Sequence, residues 1–460
     1  NCAVQPVDST MLFVEPPTSV FAAPRRPPSG VNYDHRPTDA ATGRIFYFRP
    51  SQNPPPIWTH AVSGYPQIKL RPNAERLIIK GHPWVFSGAV ADRDPNAGRG
   101  SIVDVHNDAG RFIARGTCNP GAEIVVRILT RQAEVPIDGE FLRVRIERAV
   151  RLRRDNPLLQ SSNAMRLVHG ESDGLPGLIV DDYAGWIVVQ LHTAGMEALR
   201  EPIIAALLDI VSPRGLFERS DVGTRRAEGL MDRPTGPIAG DEPPELIEFH
   251  EGSVQLLADV RRGQKTGFFL DQRDNRLLLG RLTEGRSVLN CFAFSGGFSA
   301  HAMRGGATST LDVDIARRAL SLGRKNITAN GDAPARSIAA DGFAFLDTLS
   351  ERGPRFGAVV VDPPSLVRKS RDVKSAMGVY TKLNRNALRL VENGGYLLAS
   401  SCSTRISDED FFQIIRRAAS GARVHTRIVA RTHHAADHPV DPAFPEGRYL
   451  TSVLVEVDRD

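Results

Sequence analysis

From about Val260 to the C-terminus, short apolar runs alternate with segments of helical periodicity. Such runs are typical of parallel strands that are buried on both faces, because the connecting helices cover the sheet. This half of the chain is therefore predicted to form an α/β domain with a parallel sheet. Sheets of this kind bind their ligands beyond the carboxyl ends of the strands, so the residues that follow the strands are the candidates for chemistry.

A glycine turn follows the first predicted strand. The strand is Val288–Phe292, the turn is Ser295-Gly296-Gly297 and the next helix is expected from Phe298 to Met303. Glycines let the backbone approach a ligand closely. The turn lacks the G-x-G-x-x-G spacing, and no phosphate-binding lysine follows it, so S-adenosylmethionine, which has no phosphate, fits better than NAD.

Two acids support a nucleoside cofactor at this turn. Asp314 ends the second predicted strand and Asp341 follows the third. Ribose hydroxyls and an adenine amine both need hydrogen-bond acceptors, although either acid could instead cap the helix behind it. The cofactor contacts predicted in this region are Asn290, Phe292, Phe294, Ser295, Gly296, Gly297, Asp314 and Asp341.

The motif Asp362-Pro363-Pro364 follows the apolar strand Phe356–Val361. The two prolines fix the loop, so Asp362 is predicted to face the crevice and to contact both the cofactor and a planar base. Pro363 and Pro364 are then substrate contacts. A strand that simply ends at proline, with Asp362 as a cap, is the alternative.

A lone cysteine, Cys402, follows the predicted strand Tyr396–Ser400, which the turn Asn393–Gly395 introduces. A lone cysteine is more often a small buried hydrophobe than a nucleophile. Serine and threonine surround Cys402, whereas Cys291 lies inside an apolar run and is interpreted as core. Cys402 is therefore the candidate nucleophile.

A thiol beside a methyl donor indicates a specific reaction. Carbon 5 of cytosine becomes nucleophilic only after a group adds to carbon 6, and the Cys402 thiolate would be that group. Asp362 would hydrogen-bond the ring as charge develops. The base that removes the carbon-5 proton is not evident from the sequence.

The N-terminal half of the chain has a different pattern of predicted elements from the C-terminal half. Four short strands predict a small β domain at residues 65–140, and the arginine-rich segment Glu140–Arg154 predicts an amphipathic linker helix. Gly174–Tyr183 predicts a turn into a strand with Trp186–Leu191 as its hairpin partner, and Pro234–Pro244 predicts a loop. The four strands are Gln67–Leu70, Ile102–Val105, Phe112–Gly116 and Glu123–Leu129.

Composition limits the compartment, the metals and the partners that can be expected for this protein. The four cysteines form no Cys-x-x-Cys pair or zinc spacing, and no apolar run is long enough to span a membrane, so a reducing cytoplasm is expected and no metal. The net charge of +5 permits a polyanionic partner without requiring one. Residues 1–64 are Pro-rich without helical or strand periodicity and are expected to be a disordered or misannotated extension.

Several separated motifs resemble the PUA-containing class I methyltransferases that make 5-methylcytosine in large-subunit ribosomal RNA. The resemblance covers about Gln67 to the C-terminus. It is carried by His82-Pro83-Trp84-Val85-Phe86-Ser87-Gly88, Lys265-Thr266-Gly267-Phe268-Phe269-Leu270-Asp271-Gln272-Arg273, the glycine turn, Asp362-Pro363-Pro364, Ser401-Cys402-Ser403, Ala436-Asp437-His438-Pro439 and Pro445-Glu446-Gly447-Arg448-Tyr449-Leu450.

The resemblance implies three domains: an RNA-binding PUA domain at 65–140, a central α+β domain at 141–255 and a Rossmann-like methyltransferase domain with a mostly parallel seven-stranded sheet at 256–460. It also implies S-adenosylmethionine as cofactor, 23S ribosomal RNA as substrate and Cys402 as nucleophile, and leaves a homodimer open. Lys265 would contact substrate, and Gln272 and Arg273 would contact the cofactor, unless this segment is only a structural lead-in helix.

Three other functions remain as alternatives. A methyltransferase of an exocyclic amine, such as guanine N2, would use Asp362-Pro363-Pro364 and need no thiol. A noncatalytic RNA-binding assembly factor would not need Cys402 or the acids. A metal enzyme that uses His433, His434 and His438 is weaker, because histidines on a polar loop are usually surface residues.

Overall fold

The computed structural model describes residues 64–367 and 372–459. The predicted Pro-rich extension therefore lies outside the described residues apart from Gly64. Within the described part of the chain, none of the helices has the length and apolar character needed to cross a membrane.

The first domain is a six-stranded sheet with the strand order β2-β6-β5-β4-β1-β3. Only β1 and β4 pair in parallel. The elements are β1 Gln67–Leu70, α1 Arg76–Ile79, β2 Trp84–Phe86, β3 Val90–Arg93, β4 Ile102–His106, β5 Phe112–Cys118 and β6 Ile124–Thr130. The four predicted strands are confirmed. The strands β2 and β3 were not predicted, because neither Trp84–Phe86 nor Val90–Arg93 alternates apolar with polar residues as Gln67–Leu70 does.

The central region contains a five-stranded sheet with the order β11-β10-β9-β8-β7, followed by a separate hairpin of β12 and β13. Its elements are α2 Gly139–Arg154, β7 Ala164–His169, β8 Leu178–Tyr183, β9 Trp186–Leu191, α3 Ala194–Ala198, α4 Arg200–Val211, β10 Gly215–Glu218, α5 Thr224–Ala227, β11 Gly236–Gly240, β12 Ile247–Glu251 and β13 Val254–Ala258. The predicted hairpin of β8 and β9 is confirmed. The prediction of a plain loop at Pro234–Pro244 is wrong, because β11 lies within it and pairs with β10.

Helix α2 begins where the Asp138 side chain accepts a hydrogen bond from the Phe141 amide at 2.9 Å. Its apolar face, including Leu142 and Ile146, is buried in the core of the central sheet. The arginines of α2 do not share one role. Arg153 is buried and pairs with Asp173 at 2.6 Å, so part of this charge run is an internal contact rather than a solvated face.

The C-terminal domain has a seven-stranded sheet with the order β16-β15-β14-β17-β18-β20-β19. The first five strands are parallel, and β20 is antiparallel to both of its neighbours. The elements are α6 Arg273–Gly280, β14 Ser287–Cys291, α7 Gly297–Arg304, β15 Ser309–Asp314, α8 Arg317–Thr328, β16 Ala335–Ala339, α9 Gly342–Arg352, β17 Phe356–Val361, α10 Val373–Arg389, β18 Val391–Ser401, α11 Asp408–Ala422, β19 His425–Thr432 and β20 Thr451–Asp458. The predicted mostly parallel seven-stranded sheet is confirmed.

Strand β17 shows why the fold could be predicted here. All six of its residues are buried, because helices cover both faces of the sheet. One boundary differs from the prediction. The predicted turn Asn393–Gly395 lies inside β18, where Gly394 has a positive φ of 65° and the pairing with β17 is irregular.

The first domain packs against the C-terminal tail through aromatic rings. The ring of Trp84 lies 4.7 Å from that of Phe444, centroid to centroid, and the Trp84 indole N–H donates to Glu171 at 2.9 Å. His82 lies 3.4 Å from Glu446. The motif around Trp84 therefore holds the first domain against the tail segment of the last.

A buried carboxylate, Asp437, joins the central and C-terminal domains. Its side chain is fully buried and accepts hydrogen bonds from the Arg166 amide at 2.8 Å, the Arg273 guanidinium at 2.6 Å and His438 at 2.9 Å. Burial alone would raise the pKa of Asp437, but Arg273 and His438 outweigh burial and hold it well below its ordinary value. The carboxylate is therefore ionised and paired.

The prediction that the histidines of this loop lie at the surface is wrong for His438, which is 3% exposed, and His434 is only partly exposed. The polar loop folds inward because Asp437 offers a buried partner. In the described part of the chain, no cluster of three or more His, Cys, Asp or Glu is arranged to hold a metal ion.

Replacing Asp437 by Asn should lower the free energy of unfolding by about 3–5 kcal/mol, because it removes the nearer counter-charge of the buried Arg273 guanidinium and leaves only Glu251, at 3.9 Å. Urea unfolding monitored by circular dichroism measures the change. Asp108→Asn, at an exposed turn, is the matched control. A loss at Asp437 no larger than that of the control would contradict the assigned role.

The same pair should make stability depend on pH. The folded-state pKa of Asp437 is below the unfolded value of about 3.9, so its contribution is fully present above that value and is lost as the pH falls toward the folded-state pKa. The gap in unfolding temperature between the wild type and Asp437→Asn should therefore shrink between about pH 5 and about pH 3. A gap that stays constant over this range would refute the argument.

Candidate active site

A cavity of about 420 Å³ opens at the carboxyl ends of β14, β15, β17 and β18. It is the place that the strand pattern predicts for a ligand. The predicted site residues that line it are Lys265, Gln272, Phe292, Phe294, Ser295, Gly297, Asp314, Asp341, Asp362, Pro363, Pro364 and Cys402. The candidate cofactor turn and the candidate nucleophile therefore share one cavity.

The glycine turn has a local reason for its sequence. Gly296 has a φ of +68°, and a Cβ there would lie 2.9 Å from a carboxylate oxygen of Asp312. Phe292 and Phe294 also have positive φ angles, of 62° and 47°. This conformation costs a non-glycine residue roughly 1–2 kcal/mol, so the turn is held by its surroundings.

One end of the cavity fits the adenosine part of S-adenosylmethionine. The rings of Phe292 and Phe343 lie 5.0 Å apart and form an apolar wall. The Asp314 carboxylate is fixed by the amides of Phe294 and Ala316, both at 2.8 Å, and lines the same wall. The hydroxyl of Ser295 is buried without a hydrogen-bond partner among the described residues. Apolar faces suit a base and an acid suits ribose hydroxyls, so these residues fit the cofactor.

Asp341 has two roles in the structure. One of its oxygens accepts hydrogen bonds from the Phe343 and Ala344 amides, both at 2.9 Å, and so caps α9. The capping alternative is therefore observed. Asp341 also lines the cavity, so contact with a cofactor remains a prediction.

Three residues predicted to contact the cofactor lie outside the cavity wall. Asn290 is buried and donates to Ser299 and Asp312 at 3.1 and 3.3 Å. Gly296 shapes the turn through its positive φ angle but does not line the cavity. Arg273 is 1% exposed and points to Asp437, which corresponds to the structural alternative for that segment. These three residues support the site without facing its cavity.

Cys402 and Asp362 both line the cavity wall. The Cys402 thiol is 3.6 Å from the Pro363 carbonyl oxygen, and Gln272 donates to Asp362 at 2.9 Å. Burial and then the charge of Asp271 raise the pKa of Asp362 to about 7. Burial and then Asp362 raise the pKa of Cys402 to about 12. Cys402 is therefore a protonated thiol at neutral pH, beside a carboxyl group that can change its protonation state.

Asp271 and Tyr449 are cavity residues that the sequence predictions did not single out. One Asp271 oxygen accepts hydrogen bonds from Lys265 at 2.6 Å and from the Tyr449 hydroxyl at 2.7 Å. Burial would raise the pKa of Asp271, but Lys265 outweighs it and holds the pKa well below its ordinary value. Both residues stand in quoted motifs, yet 178 positions separate them, so only the fold reveals the contact.

Comparisons with known proteins identify the family of this chain. A family profile described as S-adenosylmethionine-dependent methyltransferase matches residues 233–447, and a PUA-like domain profile matches residues 68–131. The protein named Ribosomal RNA large subunit methyltransferase I from Escherichia coli strain SMS-3-5 is 36% identical over 85% of this chain and 99% of its own length. The protein of that name from Escherichia coli O1:K1 is 37% identical with the same coverage.

The fold has solved counterparts. A methyltransferase complexed with SAH and a SAM-dependent methyltransferase from Streptococcus mutans each align with a TM-score of 0.72 and 21% identity, over 85% of this chain and 99% of theirs. The expected fold class, a PUA-like domain with a class I methyltransferase domain, is thus confirmed, as is the cofactor S-adenosylmethionine. Since the profile match marks the chain as an S-adenosylmethionine-dependent methyltransferase and a relative that is 36% identical is matched over 99% of its length, the chain belongs to the ribosomal RNA large subunit methyltransferase I family.

Proposed function

We propose that this protein methylates carbon 5 of a cytosine in large-subunit 23S ribosomal RNA, with Cys402 as the nucleophile. The observation that carries the proposal is the position of Cys402, a partly exposed residue in the wall of the cofactor cavity, whose thiol lies 3.6 Å from the carbonyl of Pro363, the residue after Asp362. The relatives' name supports ribosomal RNA as the substrate. The PUA-like domain supports RNA as the class of partner.

S-adenosylmethionine, when bound, supplies an electrophilic methyl group. The residues of the chain must then provide a nucleophilic carbon on the base. The proton of the Cys402 thiol passes to ionised Asp362, and the thiolate forms a bond to carbon 6 of cytosine. Neutral Asp362 then donates this proton to the ring nitrogen, which takes up the charge that develops at that step.

After carbon 5 has acquired the methyl group, its proton leaves to a base. The carbon–sulfur bond then breaks and the Cys402 thiolate departs while the ring nitrogen returns its proton to Asp362, which restores the neutral aromatic ring; Asp362 then reprotonates the thiolate. The pKa of about 7 suits Asp362 to both directions of proton transfer, because a group that titrates near the working pH can accept and donate. Gln272 keeps the carboxyl group oriented through the hydrogen bond at 2.9 Å.

Methylation of an exocyclic amine is the competing function. It would use the Asp362-Pro363-Pro364 loop in the same cavity but would give Cys402 no task. A thiol in the cavity wall is therefore the feature that favours carbon 5 over the amine. A noncatalytic assembly factor has no need of a cavity that joins a cofactor turn to a thiol.

Replacing Cys402 by Ala should abolish 5-methylcytidine formation, because no other group in the proposed mechanism adds to carbon 6. Nucleoside mass spectrometry of unmodified ribosomal RNA incubated with S-adenosylmethionine measures the product. Cys118→Ala, at a buried cysteine of the first domain, is the matched control and should stay active. Methylguanosine formed by both variants would instead establish amine methylation.

Replacing Asp362 by Asn should lower kcat by about 10²–10⁴-fold, the usual contribution of a positioned acid or base. Asparagine keeps the shape of the side chain but cannot accept the thiol proton. Single-turnover methyl transfer to RNA measures the chemical step. A variant that keeps wild-type kcat would remove Asp362 from the mechanism, and cofactor binding measured by calorimetry controls for a binding defect.

A further inference from the structure

Lys265 is held in an unusual backbone conformation at the cavity. Its φ is +52°, in the left-handed region that costs a residue with a side chain roughly 1–2 kcal/mol. Such a conformation persists only where the surrounding structure enforces it. The contacts that enforce it therefore show what keeps the Lys265 side chain in place.

Lys265 lies in a tight turn that the Gly267 amide closes by donating to the Gln264 carbonyl at 2.9 Å, and the side-chain contacts that fix this turn fall on the next residue, Thr266, which is fully buried. Its hydroxyl donates to the Asp181 carboxylate at 2.6 Å. The Tyr183 hydroxyl lies 2.9 Å from the Thr266 oxygen and accepts from the Phe268 amide at 3.2 Å. Because the hydroxyl hydrogen of Thr266 goes to the carboxylate, Tyr183 is the donor between the two hydroxyls, and the Phe268 carbonyl at 3.4 Å is a second, longer acceptor for it.

This anchor belongs to the central domain. Asp181 and Tyr183 lie on β8, and Asp181 is fully buried and receives two hydrogen bonds from the Arg166 guanidinium, at 2.8 and 2.9 Å. Burial keeps the pKa of Tyr183 above its ordinary value, so its hydroxyl keeps the proton that it donates. The proposed mechanism assigns no task to β8, yet β8 fixes the chain beside the cavity.

The Lys265 ammonium is the local charge that favours a thiolate. It lines the cavity, lies 2.6 Å from Asp271 and sits 4.3 Å from the centre of the Phe269 ring. The charged groups that act on Cys402 are Asp362 and Asp271, which raise its pKa, and Lys265, which lowers it. A displaced Lys265 would leave the thiol facing two carboxyl groups alone.

We propose that Thr266 and Tyr183 are positioning residues that hold Lys265 where its ammonium supports the Cys402 thiolate. The central domain is then a working part of the methyl-transfer site rather than a spacer between the PUA-like and methyltransferase domains. The inference rests on the proposed role of Cys402 as nucleophile. Its test is independent of RNA and of methyl transfer.

The experiment measures how fast iodoacetamide alkylates Cys402 at one fixed pH, about 8.5, where the rate follows the thiolate fraction. Peptide mass spectrometry separates Cys402 from the other cysteines of the intact chain. Thr266→Val and Tyr183→Phe remove the hydroxyls with little change of shape, and Lys265→Met sets the rate without the ammonium. Thr266→Ser keeps the hydroxyl, and Tyr396→Phe, in the middle of β18, is the matched tyrosine control.

Thr266→Val and Tyr183→Phe should slow Cys402 alkylation by about three- to tenfold, toward the rate of Lys265→Met, since a tenfold change is one pKa unit of the thiol. Thr266→Ser and Tyr396→Phe should keep the wild-type rate. A purely structural role would not produce this selective loss and rescue.

Wild-type alkylation in both Thr266→Val and Tyr183→Phe would overturn the proposal, and so would a Lys265→Met rate equal to the wild type. If Thr266→Val fails to unfold cooperatively, Tyr183→Phe, which removes a single oxygen atom, decides the matter. A different experiment tests the proposed function. If Cys402→Ala made 5-methylcytidine, the role of Cys402 as nucleophile would be refuted, whereas the alkylation result would stand.

Discussion

The buried carboxylate of Asp437 is the contact on which the arrangement of the last two domains depends. It receives a backbone amide from β7, a guanidinium from α6 and a histidine from its own loop, so three separate pieces of chain share one charge. A buried ion is costly unless every polar neighbour is paired. Nearby pairs of the same kind, Arg166 with Asp181 and Arg276 with Glu251, extend this paired network from the central sheet to the cavity.

The cavity is built by two different physical means. At the cofactor end, the conformation of the backbone shapes the cavity. A glycine turn and two phenylalanines with strained, positive φ angles place aromatic rings and a carboxylate on one wall. At the reacting end, charged side chains act on the Cys402 thiol in opposite directions. Asp362 and Asp271 disfavour the thiolate, and Lys265 favours it. The chemistry of the reacting end therefore depends on the balance of these charges, whereas the shape of the cofactor end depends mainly on steric packing.

The sequence allowed the seven-stranded sheet and most of the cavity wall to be predicted, because each parallel strand is a buried apolar run whose end must meet the same edge. Cys402, Asp362 and Asp314 could be found in this way. Asp271, Tyr449 and the inward fold of His438 could not be predicted, because their roles depend on partners that are far away along the chain. Asn290 and Arg273, which were predicted to contact the cofactor, lie outside the cavity wall for a related reason: the sequence around a polar residue beside a ligand motif looks the same whether its side chain faces the ligand or a buried partner behind it.

The contact of Trp84 with Phe444 has a further consequence. Phe444 and Tyr449 are five positions apart, so the surface that receives the PUA-like domain and the wall of the cavity belong to one short stretch of chain. If a ligand at Tyr449 biases the conformation of this stretch, thermodynamic linkage requires that docking at Trp84 bias ligand binding by the same factor. The packing of the first domain and the shape of the cavity wall would then be coupled through this one stretch of chain, and a chain cut between its domains would lose the coupling together with the contact.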